Sequence, residues 1–107
     1  MIDVPLTRDF KDTVRDRVQR DPKFRRAMLR EGAECLLAGD VETGKLVLRD
    51  FINATIGFEA LAEGTGTAPK SLMRMFGPRG NPQARNLFAV LGHLQKATGV
   101  RLTVRAA

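Results

Sequence analysis

The sequence predicts an all-α fold of five or six helices in a single domain. Apolar residues recur at intervals of three and four along most of the chain, which is the spacing of amphipathic helices. Asp-Pro and Gly-containing steps divide this pattern into segments of ordinary helix length. The 107 residues, of which 43% are hydrophobic, are enough to form one modest core.

Residues 1–39 are predicted to form an N-terminal extension of two helices. The first lies between a cap at Thr7 and the Asp21-Pro22 step, and its apolar residues recur every four positions. They are Leu6, Phe10, Val14 and Val18. The second helix takes Asp21 as its cap and Pro22 as its first residue, and it ends at Gly39. Its expected buried stripe consists of Leu29, Ala33, Leu36 and Leu37.

Residues 40–98 are predicted to form the core of the domain. Asp40 is expected to cap a third helix that ends before Gly57. The apolar face of that helix is Val47, Leu48, Phe51 and Ile52. A supporting helix is predicted between the Asn81-Pro82 step and Gly99. Its buried face is Leu87, Val90, Leu91 and Leu94.

Between these helices, the segment from Phe58 to Phe76 predicts two short helices joined by a tight turn. Gly64-Thr65-Gly66 is expected to end the first helix, and Pro69 lies near the start of the second. The inward residues are Phe58, Leu61 and Ala62 in the first helix and Leu72, Met75 and Phe76 in the second. Such a pair needs a small residue where the helices meet and a residue tolerant of positive φ in the turn. Ala62 and Gly66 meet these two needs.

Residues 99–107 are predicted to form a short strand or a tail. Val100, Leu102 and Val104 alternate with polar residues, which is the pattern of a half-buried strand. The sequence contains no second convincing strand. Two arrangements therefore remain open: the segment pairs with its copy in another subunit, or it packs as an extended tail.

The charge is distributed unevenly along the chain. Residues 1–54 carry eleven Lys or Arg and ten Asp or Glu, whereas residues 55–107 carry seven Lys or Arg and two Asp or Glu. From Gly64 to Ala107 there is no carboxylate side chain at all. A polyanion is the partner that such a basic segment favours, although basic residues also serve simply to solvate a surface.

The sequence predicts a cytoplasmic protein. No apolar run approaches the roughly 18 residues needed to cross a bilayer. Charged residues stand near the N-terminus, where a signal peptide needs an apolar stretch. Cys35 is the single cysteine, so no internal disulfide can form, and this fits a reducing compartment.

No arrangement of residues predicts catalysis, a metal site or a cofactor. His93 has no cysteine, carboxylate or second histidine at metal-binding spacing, and it is expected to be a surface or hydrogen-bonded histidine. Cys35 stands beside two leucines and is expected to be a small buried or half-buried residue rather than a nucleophile. The Gly77-Pro78-Arg79-Gly80 segment lacks the Lys-Ser/Thr of a nucleotide-binding loop.

The block FEALAEGTGTAPKSLMRMFGPRGNPQARNLFAVL at residues 58–91 resembles lambda-repressor-like (Xre/Cro) helix-turn-helix regulators. The chain looks most similar to the addiction-module antidote proteins, which are HigA-like antitoxins. The similarity to these proteins extends to residues 40–55, the Gly-Pro-Arg-Gly-Asn-Pro segment and the terminal Gly-Val-Arg-Leu-Thr-Val, about two thirds of the chain. The resemblance implies a second motif helix that lies in the major groove and a homodimer on a palindromic operator of double-stranded DNA. It also implies a toxin protein as a partner.

The chemistry of the matched positions indicates which residues would contact DNA. Lys70, Ser71 and Arg74 occupy the N-terminal part of the second helix, from which side chains reach base edges. Arg74 is the expected bidentate partner of guanine. Phosphate contacts are expected from the residues on either side, which are Thr67, Arg79, Asn81 and Arg85.

The sequence thus predicts a DNA-binding transcriptional regulator, a repressor that is also an antitoxin if a toxin accompanies it. The alternative is a helical protein-interaction module that does not recognise DNA. In this alternative the N-terminal helices bind a partner protein through their dense mixed charges, which are Arg8, Lys11, Asp12, Arg15, Asp16 and Arg17.

Overall fold

The computed structural model describes the backbone of residues 8–107 and the side chains from residue 11 onward. Over this range the chain forms six helices and no strand, so the predicted all-α class is confirmed. The helices are α1 (Arg8–Arg20), α2 (Pro22–Leu37), α3 (Val41–Ala54), α4 (Gly57–Thr65), α5 (Pro69–Met75) and α6 (Ala84–Thr98). No helix in this range is both long and apolar enough to span a membrane. The predicted cap Thr7, Leu6 and the side chain of Phe10 lie outside the described residues.

Two aspartates begin α2 and α3 as the sequence predicts. The Asp21 carboxylate accepts hydrogen bonds from the backbone N–H groups of Lys23 and Phe24, at 3.0 and 3.3 Å. Asp40 accepts one from the N–H of Thr43 at 3.2 Å. These bonds satisfy backbone donors that have no partner inside a helix, and they hold the pKa of Asp21 below its usual value. The first residues of α2 and α3 are therefore determined by the local sequence.

The contact between α2 and α3 depends on two glycines that bring the helices close together. A Cβ on Gly32 would lie 2.9 Å from a methyl carbon of Leu48, and one on Gly44 would lie 2.7 Å from a methyl carbon of Leu36. The predicted stripe of α2 is right for Leu29, which is buried, and for Leu36, which is half-buried. It is wrong for Leu37, whose side chain is 68% exposed because it lies at the end of the helix, past this contact.

A single apolar cluster connects residues from all six helices and from the tail. The predicted inward residues of α3, α4 and α6 belong to it or pack against it, except Val47 of α3, which is half-buried outside the cluster. Phe58 of α4 and Phe76, which follows α5, place their ring centroids 6.4 Å apart in a tilted arrangement. The buried members are Val18, Leu29, Leu48, Phe51, Ile52, Ala54, Phe58, Leu61, Ala62, Leu72, Phe76, Val90, Leu91, Leu94 and Val100.

The C-terminal segment after Gly99 is an extended tail and forms no strand within the described chain. Val100 is buried, and the backbone N–H of Leu102 donates to the side-chain oxygen of Gln95 on α6 at 2.8 Å. Val104 is 83% exposed. Of the two predicted arrangements, this chain by itself shows the packed tail.

Gly64 lies inside α4 and does not end it, which corrects the prediction made from sequence. The helix continues through Thr65 and ends at Gly66. A Cβ at position 64 would overlap all three of the nearest imidazole atoms of His93 on α6. The glycine therefore makes room for a histidine ring where α4 packs against α6.

We expect Gly64→Ala to give no gain in stability, although alanine normally exceeds glycine in a helix interior by about 0.5–1 kcal/mol. The new methyl group would displace the His93 ring. In a His93→Ala background the same change should recover the gain. Urea unfolding of the four proteins of this double-mutant cycle measures the coupling. A full gain from Gly64→Ala alone would show that the ring does not constrain this position.

Candidate nucleic-acid interface

Helices α4 and α5 are joined by a tight turn at Gly66. The last turn of α4 is closed by Thr65, whose hydroxyl donates to the carbonyl of Leu61 at 2.8 Å, and by the Gly66 N–H, which donates to the carbonyl of Ala62 at 2.8 Å. Gly66 has a φ of +73°, a conformation that residues with a Cβ rarely adopt. Ala62 is buried at this point. The positive φ predicted for Gly66 is confirmed.

Helix α5 buries one side and exposes the other. Pro69 is its first residue, where a missing N–H costs nothing. Leu72 and the following Phe76 are buried, and Ser71 and Met75 are half-buried on the flank. Successive residues turn by about 100° around a helix, so the remaining positions share the solvent side. These are Lys70, Met73 and Arg74, all of them exposed.

Four of the seven predicted contact residues line one groove of about 330 Å³ beside α5, which we call the polar groove. Its polar lining consists of Ser71, Arg74, Arg79, Asn81, Gln83 and Asn86. The structure therefore brings together residues from α5, the loop after it and the first turn of α6. The other three predicted residues lie outside this lining. Thr67 is half-buried before α5, and Lys70 and Arg85 are exposed in the first turns of α5 and α6.

A turn at Gly77–Gly80 follows α5 and carries Arg79 near its tip. The N–H of Gly80 donates to the carbonyl of Gly77 at 3.0 Å, and the N–H of Gly77 donates to the carbonyl of Arg74 at 3.1 Å. A Cβ on Gly80 would overlap the carbonyl oxygens of Arg74 and Met75. The turn is thus folded tightly against the last turn of α5, and it leaves Arg79 exposed.

Lys45 of α3 holds this turn in place, and sequence analysis did not identify it. Its side chain is only 2% exposed, and Nζ donates to the carbonyls of Gly77 at 3.0 Å and Gly80 at 2.7 Å. Glu42, one turn earlier on α3, places a carboxylate oxygen 3.4 Å from Nζ. A buried ammonium is stable only with such partners. The cation also lies at the C-terminal end of α5, where the helix dipole favours positive charge.

The sequence does contain a sign of this role. Lys45 precedes Leu48 by three residues and Ile52 by seven, so it lies on the buried stripe of α3. A lysine at such a position must reach acceptors in the interior or extend to solvent. Which acceptors it reaches depends on a turn more than thirty residues away. Only the tertiary structure shows which carbonyl groups accept the hydrogen bonds of Lys45.

The exposed cations of the interface are not neutralised by carboxylates of the described chain. Over residues 11–107 the ion pairs are Arg17–Asp21 and Lys45–Glu42, and neither involves Lys70, Arg74, Arg79 or Arg85. The nearest acidic residues in sequence, Glu59 and Glu63, are exposed on α4. The positive potential at α5 and the turn therefore remains available to an external anion.

Cys35 and His93, the two residues weighed for catalysis, lie elsewhere. Cys35 is half-buried as predicted, and its thiol donates to Glu31 Oε2 at 3.6 Å. Burial and the Glu31 carboxylate raise the pKa of this thiol, so little reactive thiolate is present at neutral pH. His93 is half-buried beside Gly64. In the described part of the chain, no three His, Cys, Asp or Glu side chains lie close enough to share a metal ion.

The interface thus offers guanidinium and ammonium groups, a hydroxyl and side-chain amides on an exposed helix and the turn beside it. Such groups donate hydrogen bonds to phosphate oxygens and to the edges of bases. Family models, curated proteins and solved structures were compared with the chain, and none of them matches.

Proposed function

We propose that this chain is a sequence-specific regulator that binds duplex DNA through α5 and the turn at Gly77–Gly80. One observation carries the proposal. Every charged side chain from Gly64 to the C-terminus is basic, and α5 exposes two of these residues, Lys70 and Arg74, on one side. Duplex DNA is a dense array of phosphates and binds such a surface with release of its counterions.

The arrangement of α4, the Gly66 turn and α5 supports a helix-turn-helix as the binding unit. In that unit the second helix enters the major groove, and its N-terminal residues contact base edges. Lys70 and Ser71 lie in the first turn of α5, whereas Arg74, which the sequence placed in the N-terminal part of this helix, lies in its last turn. Arg74 donates to O6 and N7 of guanine in this proposal, because its planar guanidinium matches that pair of acceptors.

The loop after α5 supplies phosphate contacts in this proposal. Arg79 and Asn81 share the polar groove with Arg74, so a DNA strand whose sugar-phosphate backbone passes this groove contacts all three residues. Arg85 adds a contact from α6, and Thr67 adds one from the turn before α5. Glu59 and Glu63 on α4 repel phosphates, which leaves the contact to α5 and the loop.

A homodimer on a palindromic operator completes the proposed repressor. The extended tail with its exposed Val104 supports pairing of this segment with the tail of a second copy. A toxin partner, and thus an antitoxin role, is proposed only from the resemblance to antidote proteins. Sedimentation of the protein as a monomer at micromolar concentration, with and without its selected DNA, would remove the dimer from the proposal.

Arg74→Ala is expected to weaken binding to a selected DNA sequence by about 1–3 kcal/mol and to relax the base preference at one position. Arg85→Ala should weaken binding to all sequences alike, because it removes a phosphate contact. In vitro selection from random duplexes, followed by anisotropy titrations with selected and scrambled DNA, measures both effects.

Two outcomes of these titrations contradict the proposal. If no duplex is enriched and no complex forms at low salt, the chain does not bind DNA. If Arg74→Ala and Arg85→Ala reduce binding to selected and scrambled DNA by the same factor, Arg74 does not recognise a base.

A further inference from the structure

A second and larger groove of about 780 Å³ lies on the other flank of α5, and we call it the apolar groove. It is lined by α1, α3, α4 and α5. Val14, Ala54 and Phe58 contribute half-buried or buried apolar surface to its lining. Leu46 and Met73 also line it, and each side chain is 49% exposed. Two large apolar side chains exposed on one groove suit the apolar face of a partner segment.

The charged side chains around the apolar groove are mostly basic. Lys11, Arg15 and Arg49 line it together with a single acidic residue, Asp50. None of the three cations has a carboxylate within 4.0 Å among the side chains that the structure describes. Arg15 donates to the backbone carbonyl of Asn53 at 3.3 Å, which orients its guanidinium without neutralising it. The groove therefore combines an apolar lining with a net positive charge.

We infer that the apolar groove binds an acidic amphipathic segment of a partner protein. Leucine-like side chains of that segment cover Leu46 and Met73, and its carboxylates pair with Lys11, Arg15 and Arg49. A DNA backbone suits this groove less well, because phosphates and sugars have no apolar side chains to cover Leu46 and Met73. The inference does not depend on DNA binding. Met73 shares the exposed side of α5 with Lys70 and Arg74, but the other residues that would hold the segment lie on α1 and α3. They are Lys11, Arg15, Leu46 and Arg49.

The two surfaces meet on α5, so occupation of one affects the other. Met73 lines the apolar groove, while its neighbour Arg74 lines the polar groove. Carboxylates bound beside Met73 lower the positive potential around Arg74 and Lys70. This consequence rests on the proposed function: where DNA binds α5, the partner segment and DNA antagonise each other, and the antagonism is reciprocal.

The test uses a labelled peptide of about 16 residues, four helical turns, with leucines on one face and glutamates on the others. One control peptide has the same composition but scatters its leucines around the helix, and a second carries lysine in place of glutamate. We expect the acidic amphipathic peptide to bind most tightly to the full chain, with an affinity that falls as salt rises.

Matched variants locate the binding site. Leu46→Glu is expected to weaken peptide binding roughly tenfold or more, because it places a carboxylate against the leucines and glutamates of the peptide. Leu37→Glu changes another exposed leucine, at the end of α2 and outside the groove, and should leave peptide binding unchanged. Circular dichroism verifies that both variants fold.

Three results would overturn the inference. The first is that the acidic amphipathic peptide does not bind at millimolar concentration. The second is that the peptide with scattered leucines binds as tightly as the amphipathic one. The third is that Leu46→Glu and Leu37→Glu lower the affinity for the amphipathic peptide by the same factor. If Leu46→Glu instead abolishes binding to duplex DNA while no peptide binds, the groove belongs to the DNA interface.

Discussion

Replacing Lys45 with methionine is expected to lower the free energy of unfolding by about 2–4 kcal/mol. Methionine has a similar length and keeps the apolar stem, but it cannot donate to the carbonyls of Gly77 and Gly80. Each hydrogen bond from a charged donor contributes about 1.5–3 kcal/mol, so the loss of two such bonds destabilises the fold. Methionine also removes the cost of burying the ammonium group, and this offsets part of the destabilisation.

Urea unfolding of wild type and variant measures the difference. Lys23→Met is the control, because Lys23 is exposed on α2 and makes no side-chain hydrogen bond to the described residues. Lys45→Met should also weaken DNA binding in the folded protein, since the turn that carries Arg79 loses its attachment to α3. Unfolding midpoints within experimental error of each other for Lys45→Met and Lys23→Met would contradict the role assigned to Lys45.

Gly80→Ala is expected to destabilise the protein by about 1–3 kcal/mol, the usual cost of inserting a methyl group into filled space. The new Cβ would overlap the carbonyl oxygens of Arg74 and Met75. These are backbone atoms of α5, and the helix cannot move away because Leu72 and Phe76 anchor it in the core. The turn must shift instead, and it carries Arg79 with it.

Gly92→Ala provides the matched control for this prediction. Gly92 lies inside α6, and a Cβ there would have no neighbour within 4 Å. Alanine should therefore stabilise the protein by about 0.5–1 kcal/mol through its helix preference. Thermal or urea unfolding gives both values. A stabilising effect of Gly80→Ala similar to that of Gly92→Ala would contradict the close packing of the turn against α5.

The sequence predicts the structure correctly wherever a few consecutive residues determine it. Asp21 and Asp40 begin helices because each side chain bonds to N–H groups two or three residues later. Gly66 turns the chain because its own φ is positive. The apolar spacing of α5 also predicts which of its side chains face solvent, since the helical period fixes their directions.

Features that depend on distant packing were missed or predicted wrongly. Leu37 follows the apolar spacing of α2, but it extends past the contact with α3. The sequence around Gly64 is typical of a helix end, yet the glycine lies inside α4, where its missing side chain leaves space for the His93 ring of α6. Lys45 lies on the buried stripe of α3, but its acceptors are known only when the turn at Gly77–Gly80 is placed over it. In each case the deciding contact joins residues far apart in the chain.

The measurement that tests the central claim most directly is the salt dependence of DNA binding for two charge-matched triple variants. One replaces Lys70, Arg74 and Arg79 with alanine. The other replaces Lys23, Arg26 and Arg30, three exposed cations of α2, so the net charge falls equally in both variants. Anisotropy titrations with a random duplex at several salt concentrations give the slope of log K against log salt, which reports the number of phosphates bound.

We expect the α5 variant to retain little affinity for the random duplex and its slope to become shallower by about two to three, because all three cations neutralise phosphates when no preferred bases are present. The α2 variant should retain the wild-type slope. Equal reductions of affinity and slope in the two variants would mean that net charge alone attracts DNA, and this would contradict an interface formed by α5 and the turn after it.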